Sequence, residues 1–234
     1  GFPSAKTRID RIDRVKDIHV RYKQQIVEAL EADFGARPPG QTLATDVATI
    51  VMEVNETRRK IRQWMKPERR KTPLMMRMIG GRAELQFQPL GVVGNISPWN
   101  FPFQLAFAPA IGAFAAGNRV MLKPSELTPR TSALMEKIVA SAFDPPEMVV
   151  VNGGVDVAQE FSQLPFDHLV FTGGPEVAKH VMRAAADNLV PVTLELGGKC
   201  PVVVGKSANI KTVADRVMGT KTVNSGQLCL TPDY

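Results

Sequence analysis

The sequence predicts an α/β fold, a parallel β-sheet with helices packed on both faces. Short β-branched runs recur from Gly91 onward: "GVVGNIS", "RVMLKP", "MVVVNGG", "HLVFTGG" and "PVTLELGG". Segments with helical apolar spacing lie between them, the pattern of strand–helix–strand units. The odd residues, "SPWN", "KPSE", "NGG", "FTGG" and "ELGG", all fall at the C-terminal ends of those runs. Parallel sheets collect their ligands there.

Taken in order, residues 8–34 carry Ile12, Val15, Tyr22, Ile26 and Leu30 at helical spacing, and "GARPPG" ends that segment with turn chemistry. A second helical pattern follows through Leu43, Val47, Ile50, Val54, Ile61 and Met65. "AELQFQ" (83–88) alternates apolar with polar residues, as a half-exposed strand does. Helices are expected over 102–117, 129–142, from Asp156, and over 176–187, each between two of the strands above. A further strand is expected in "PVVV", directly after Cys200.

At 234 residues the chain fits one large domain, or one domain and part of another. Its 44 % hydrophobic and 22 % charged residues suit a globular protein with a sizeable core. No apolar stretch reaches the ~20 residues that cross a bilayer, the 102–117 segment being interrupted by Pro109 and Gly112. The N-terminus has no signal-peptide core. Two cysteines, Cys200 and Cys229, make no disulfide framework, so a reducing, cytoplasmic setting is expected. Much of the +6 net charge lies in "RRKIRQWMKPERRK", Arg58 to Lys71. A solvated helix end and linker explains that run better than a nucleic-acid patch, because no glycine/aromatic interleaving accompanies it. Neither nucleic acid, membrane nor metal is an expected partner.

Each strand end admits two readings. "FTGGPEV" leads through two glycines into a helix N-terminus, which suits a phosphate or a plain tight turn; "NGGVDVA" repeats the ambiguity. In "LKPSE", Lys123 and Glu126 can hold ribose hydroxyls or be solvated loop charges. In "SPWNFP", Asn100 is either a fixed amide donor to an oxygen gaining charge or the cap of the following helix. Glu195, between leucines in an expected buried strand, is either paired or a general base with a raised pKa. Cys200 fits a small buried residue, and Cys229 after Gly226 and Gln227 is either that or a nucleophile. His19, His168 and His180 lack a supporting motif, which disfavours a Cys–His protease. A nucleotide-binding sheet, a fixed amide, a carboxylate base and a cysteine together describe oxidation of an aldehyde through a covalent thioester.

In order and spacing, "SPWNFPF", "KPSE", "FTGGPEV", "LELGGK" and "GQLC" resemble the aldehyde dehydrogenase superfamily, over nearly the whole chain. The run 164–199 is most similar to its coniferyl aldehyde dehydrogenase subgroup. The resemblance implies a Rossmann-like NAD-binding domain over 1–196, with an oligomerisation-type β arm at 72–90, and the start of a second α/β catalytic domain over 197–234. It implies Cys229 as nucleophile, Glu195 as the base for deacylation, and an oxyanion hole made by the side chain of Asn100 and the backbone N–H of Cys229. Lys123 and Glu126 would hold the adenosine ribose, and Ser125 would also bind the cofactor. Ile96, Ser97, Pro98, Trp99, Gly154, Phe171, Thr172, Gly173, Gly174 and Val177 would line the dinucleotide, with Leu196 and Gly197 near its nicotinamide. Glu126 favours NAD over NADP, because a carboxylate repels a ribose phosphate; NADP is not excluded. Ala158 and Ala178 stand where many members have glycine, implying a tighter fit at the adenine.

Family members are about twice this length, so the sequence reads as an N-terminal half, inactive alone and part of a homo-oligomer when complete. The implied substrate is an aromatic, coniferyl-type aldehyde. A CoA-acylating relative and an inactive nucleotide-binding fragment are the alternatives, and Glu195 argues against the first because such enzymes must spare the thioester from water.

Overall fold

The computed structural model describes residues 2–234. Helix α1 (Ala5–Arg21) opens on Ser4, whose Oγ accepts the Thr7 N–H at 3.2 Å, and α2 (Lys23–Phe34) closes on Gly35 at φ 76°. The single helical segment expected over 8–34 is thus two helices, parted at Tyr22 (φ −101°, ψ 12°). Apolar spacing runs across the break because both helices bury Ile12, Val15, Ile26 and Leu30 in one core. The second helical pattern is also composite. A short α3 (Pro39–Thr42) passes into a π-helical stretch, Leu43–Ala48, and then α4 (Thr49–Trp64). Such π segments are uncommon and often mark functional positions.

The basic run 58–71 divides between the end of α4 and strand β1 (Glu68–Arg70), and all of its arginines and lysines are exposed. Strand β1 pairs antiparallel with β2 (Ala83–Leu85), and helix α5 (Leu74–Met78) lies between them in sequence. This two-stranded ribbon is separate from the main sheet.

The main sheet is parallel, in the order β5 (Met148–Val150), β4 (Arg119–Lys123), β3 (Val92–Ile96), β6 (His168–Gly173), β7 (Val192–Leu196). Helices α6 (Pro102–Ala116), α7 (Pro129–Ala140), α8 (Val155–Ser162) and α9 (Pro175–Ala186) connect successive strands. Side chains alternate across it, as strand geometry requires. Val93, Val120, Leu122, Met148 and Val150 join the core of α1, α2, α4, α6 and α7 on one face. Val92, Ile96, Met121, Leu169 and Phe171 join the core of α8 and α9 on the other. The β3–α6 turn and the ends of β4 and β6 therefore meet along one edge of the sheet.

Pro109 sits inside α6 and cannot donate to the Leu105 carbonyl four residues back. Buried Asn95 on β3 answers this, its Nδ2 donating to Leu105 O (3.4 Å) and Ala106 O (3.0 Å).

Strand β7 is an edge strand rather than a buried one, and Glu195 is exposed upon it. Its alternation places Glu195 on the α6 face, beyond the reach of the helices there. After β7 the chain forms only α10 (Ile210–Lys221), capped by Asn209, and a tight turn over Val223–Gly226. "PVVV" does not form the expected strand. Cys200 makes an isolated bridge to Pro232, Val202 N–H bonds Tyr234 O, and Val203, 92 % exposed, has no neighbour strand among the described residues.

Candidate active site

Asn100 occupies the turn between β3 and α6. Its side chain does not cap α6. That role belongs to Asp46, brought in by the π-helical stretch, whose Oδ1 accepts the Phe103 and Gln104 N–H groups at 3.2 and 3.4 Å. Asn100 Nδ2 instead donates to Gln227 O at 3.0 Å, two residues before Cys229. An amide nitrogen has two hydrogens, so one fixes the group's orientation and the other remains to serve an oxygen beside the cysteine.

Cys229 lies in the segment after the Val223–Gly226 turn, half-buried and a free thiol. Asn224, Ser225 and Gly226 all take left-handed backbone, with φ of 50°, 56° and 79°. The Cys200 thiol contacts Cys229 O at 3.6 Å. Glu195 makes no hydrogen bond or ion pair among the described residues, so the paired reading is not met, and the carboxylate is exposed at the sheet edge rather than buried.

Beneath this lies a network that the sequence reading missed. Arg37, buried, ion-pairs with Asp46 at 2.5 Å and donates to Thr45 Oγ1 (3.1 Å), Asn100 O (2.8 Å) and Asn224 Oδ1 (3.3 Å). Its guanidinium stacks between Phe34 and Phe101, 4.9 and 5.1 Å from the ring centroids. Burial pushes the Asp46 pKa up, and the Arg37 charge with three hydrogen-bond donors pulls the other way. A guanidinium stays protonated in proteins, so Asp46 faces a fixed positive charge. "GARPPG" reads as turn chemistry and hides Arg37.

The second group of candidates lies at the ends of β3, β4 and β6. Lys123 is only 1 % exposed, not a solvated loop charge; its Nζ donates to Pro124 O (2.9 Å) and faces Glu126 Oε2 at 3.7 Å. Burial lowers its pKa, opposed by Glu126 and Asp156. Ser97 N–H bonds Lys123 O at 3.0 Å, tying the turn Ile96–Trp99 to β4, and Trp99 leans on Phe34 at 6.2 Å. Ser125 Oγ accepts the Leu127 N–H (3.2 Å), and Gly154 precedes α8.

Phe171 is buried, Thr172 and Gly173 are half-buried, and Gly174 leads into α9 through Pro175. A Cβ at Gly173 would strike the Phe171 ring at 2.6 Å, whereas one at Gly174 meets nothing within 4 Å. The first bond of α9 runs from Ala178 N to Gly174 O, so the N–H groups of Glu176 and Val177 face outward unpaired among the described residues. Ala178 itself is 2 % exposed within the core under α9, so it does not tighten a ligand site. Leu196, the last residue of β7, and Gly197 after it are exposed. An outward helix N-terminus, an open glycine and a buried ammonium beside a carboxylate suit a ligand carrying phosphate and ribose. Among the described residues no group of three or more His, Cys, Asp or Glu side chains could hold a metal.

The family model of aldehyde dehydrogenases matches residues 3–233. A coniferyl aldehyde dehydrogenase of a Pseudomonas species is 53 % identical over 234 residues, 100 % of this chain and 48 % of that protein. Among solved structures, the substrate-bound state of Staphylococcus aureus AldH superposes with a TM-score of 0.93 at 37 % identity, covering 99 % of this chain and 50 % of its own. The NAD+ complex of a Bacillus cereus aldehyde dehydrogenase does so at 0.82 and 25 % identity, covering 98 % and 46 %. The chain spans about half the length of the curated relatives it matches. It belongs to the aldehyde dehydrogenase family.

Proposed function

We propose that the protein carrying this chain oxidises an aldehyde to its carboxylic acid with NAD(P), through a thioester on Cys229. The observation that carries this reading is the bond from Asn100 Nδ2 to Gln227 O, 3.0 Å, which holds a donor amide next to the cysteine segment. Residues 1–196 would be the dinucleotide-binding domain, with 72–90 its oligomerisation arm, and 197–234 the beginning of the catalytic domain.

The residues present fit the dinucleotide. The unpaired N–H groups opening α9 and the open Gly174 suit its pyrophosphate, and Lys123 with Glu126 suits a ribose. Ile96, Ser97, Pro98, Trp99, Ser125, Gly154, Phe171, Thr172 and Val177 line the same edge, with Leu196 and Gly197 toward the nicotinamide. When bound, the dinucleotide supplies the hydride acceptor. The Glu126 carboxylate disfavours a ribose phosphate, so NAD is the preferred form.

The Cys229 thiolate attacks the aldehyde carbon, and the carbonyl oxygen takes the electron pair. The second Asn100 amide hydrogen and the Cys229 N–H meet that charge. Departure of hydride leaves the thioester. Glu195 then takes a proton from water, hydroxide adds to the thioester carbon, and the acid leaves with the thiolate restored. The relative's name supports an aromatic, coniferyl-type aldehyde as substrate. The two free thiols support a reducing, cytoplasmic setting, and exposed apolar side chains on α5, between the two ribbon strands, support a homo-oligomer.

The test is stopped-flow mixing of the complete Glu195→Gln protein with NAD and coniferyl aldehyde. One equivalent of NADH per Cys229 followed by near-arrest is expected. Sustained turnover at the wild-type rate would remove Glu195 from deacylation. Acid formation at the wild-type rate by Cys229→Ser would overturn the thioester route.

A further inference from the structure

The turn before Cys229 needs an external hold. Asn224 and Ser225 adopt left-handed backbone at φ 50° and 56°, where a Cβ is disfavoured. What holds the turn is side chains from the far N-terminal part of the chain. Asn224 Oδ1 accepts from Gln41 Nε2 (3.0 Å) and Arg37 Nη1 (3.3 Å), and Asn224 N–H donates to Gln41 Oε1 (3.3 Å). Asn224 Nδ2 donates to Asn100 O (2.9 Å) and, at 3.4 Å, to Gln227 O.

Arg37 closes the circuit by donating to the same Asn100 carbonyl at 2.8 Å, with Asp46 as its counter-charge. Two buried side chains therefore grip both the residue that presents the amide donor and the turn that delivers the cysteine. Gln227, held by its own bonds to Asn224 O through the backbone N–H (3.1 Å) and Nε2 (2.9 Å), offers Asn100 the carbonyl that orients it.

We propose that Arg37 and Asn224 are positioning residues for the oxyanion site, clamping the 224–227 turn to Asn100 so that Asn100 Nδ2 and the Cys229 N–H converge on one oxygen. The proposal rests on the reading of Cys229 and Asn100 above. Neither residue touches substrate; they act through Asn100 and Gln227. A bond network that only stabilised the fold could join any three segments. This one joins residues 37–46, Asn100 and 224–227; Asn100 carries one of the oxyanion donors, and 224–227 leads into Cys229, which carries the other.

The experiment uses the complete protein and pre-steady-state NADH bursts, because the amplitude counts competent sites while the rate constant reports their geometry. Asn224→Asp preserves size and left-handed tolerance but turns the Nδ2 donor into an acceptor against two carbonyl oxygens. Arg37→Lys keeps the charge opposite Asp46 and loses the planar fork. Both are expected to lower the burst rate constant 10- to 100-fold, with dinucleotide Kd within twofold of wild type and the amplitude retained. Gln41→Ala, at a half-buried position, is expected to lower it about threefold, and stands in should Arg37→Lys fail to fold.

A reduced amplitude with an unchanged rate constant would mean a purely structural network and overturn the proposal. Cys229→Ser is run in parallel. If it is burst-free while the clamp variants react at the wild-type rate, the clamp alone is wrong. If it keeps the burst, the nucleophile assignment fails, and the clamp falls with it.

Discussion

At the scale of single residues, Asn100 carries a proposed chemical role and His19 a structural one. Asn100 is freed for an oxygen because Asp46 takes over the capping of α6. Asn100→Ala should lower the NADH burst rate by about 10²–10³, the loss typical of one oxyanion donor, with dinucleotide binding unchanged; a smaller effect on a folded variant would reassign the amide to the turn alone. His19 is a residue of stability rather than chemistry. Fully buried, with Nδ1–H donating to Val15 O at 2.7 Å and its ring edge-on to Phe103 and Phe107, it is held neutral, its pKa lowered by burial from 6.5 to about 4. A folded pKa below the unfolded one means that its contribution is full above pH 6.5 and lost as pH falls toward 4. The shift corresponds to ~3 kcal/mol. Urea midpoints at pH 7 and pH 4.5 should therefore differ less in His19→Gln than in wild type, and equal differences would remove His19 as the cause.

At the scale of elements, the π-helical stretch Leu43–Ala48 carries the most consequence for its length. It places Asp46, with no exposed surface, both at the start of α6 and against Arg37. Asp46→Ala would leave the guanidinium buried without a counter-charge and two helix-start N–H groups without an acceptor. The expected cost is roughly 3–5 kcal/mol, read from denaturant unfolding; under 1 kcal/mol would show that water replaces the carboxylate. Asn95 performs the parallel service within α6, answering the carbonyl that Pro109 orphans.

At the scale of the whole molecule, the surfaces are unequal. Leu74, Met75, Met76 and Met78 on α5, and Ile79 just after it, are each at least half exposed. Scattered apolar residues need no explanation, but a contiguous set marks a contact surface. Met75→Lys with Ile79→Lys is expected to shift the sedimentation of the complete protein to a smaller species at unchanged unfolding midpoint; an unchanged coefficient would place the contact elsewhere. Intact mass is the first measurement. A value near 25.6 kDa would make the polypeptide end at Tyr234. Sustained NADH formation by that chain would then refute the expectation that it is inactive alone. About twice that mass would match the length of its relatives.

The alternation of strand and helix from Val92 to Leu196 was legible in the sequence by itself, and the candidates Asn100, Lys123, Glu195 and Cys229 were named from it. Period-2 and period-3.6 burial and residue chemistry are local properties, written in short windows. Tertiary structure alone decided the rest. It made Glu195 an exposed residue on an edge strand, because burial of a strand depends on its neighbours and not on the leucines beside the carboxylate. It buried Lys123, left "PVVV" unpaired, and assigned the α6 cap to a residue 56 positions before Pro102, Asp46. It joined Arg37 to Asn224 across 187 residues. Such bonds join segments brought together only by the packing of the helical layer on the sheet, so no window of the sequence contains both partners.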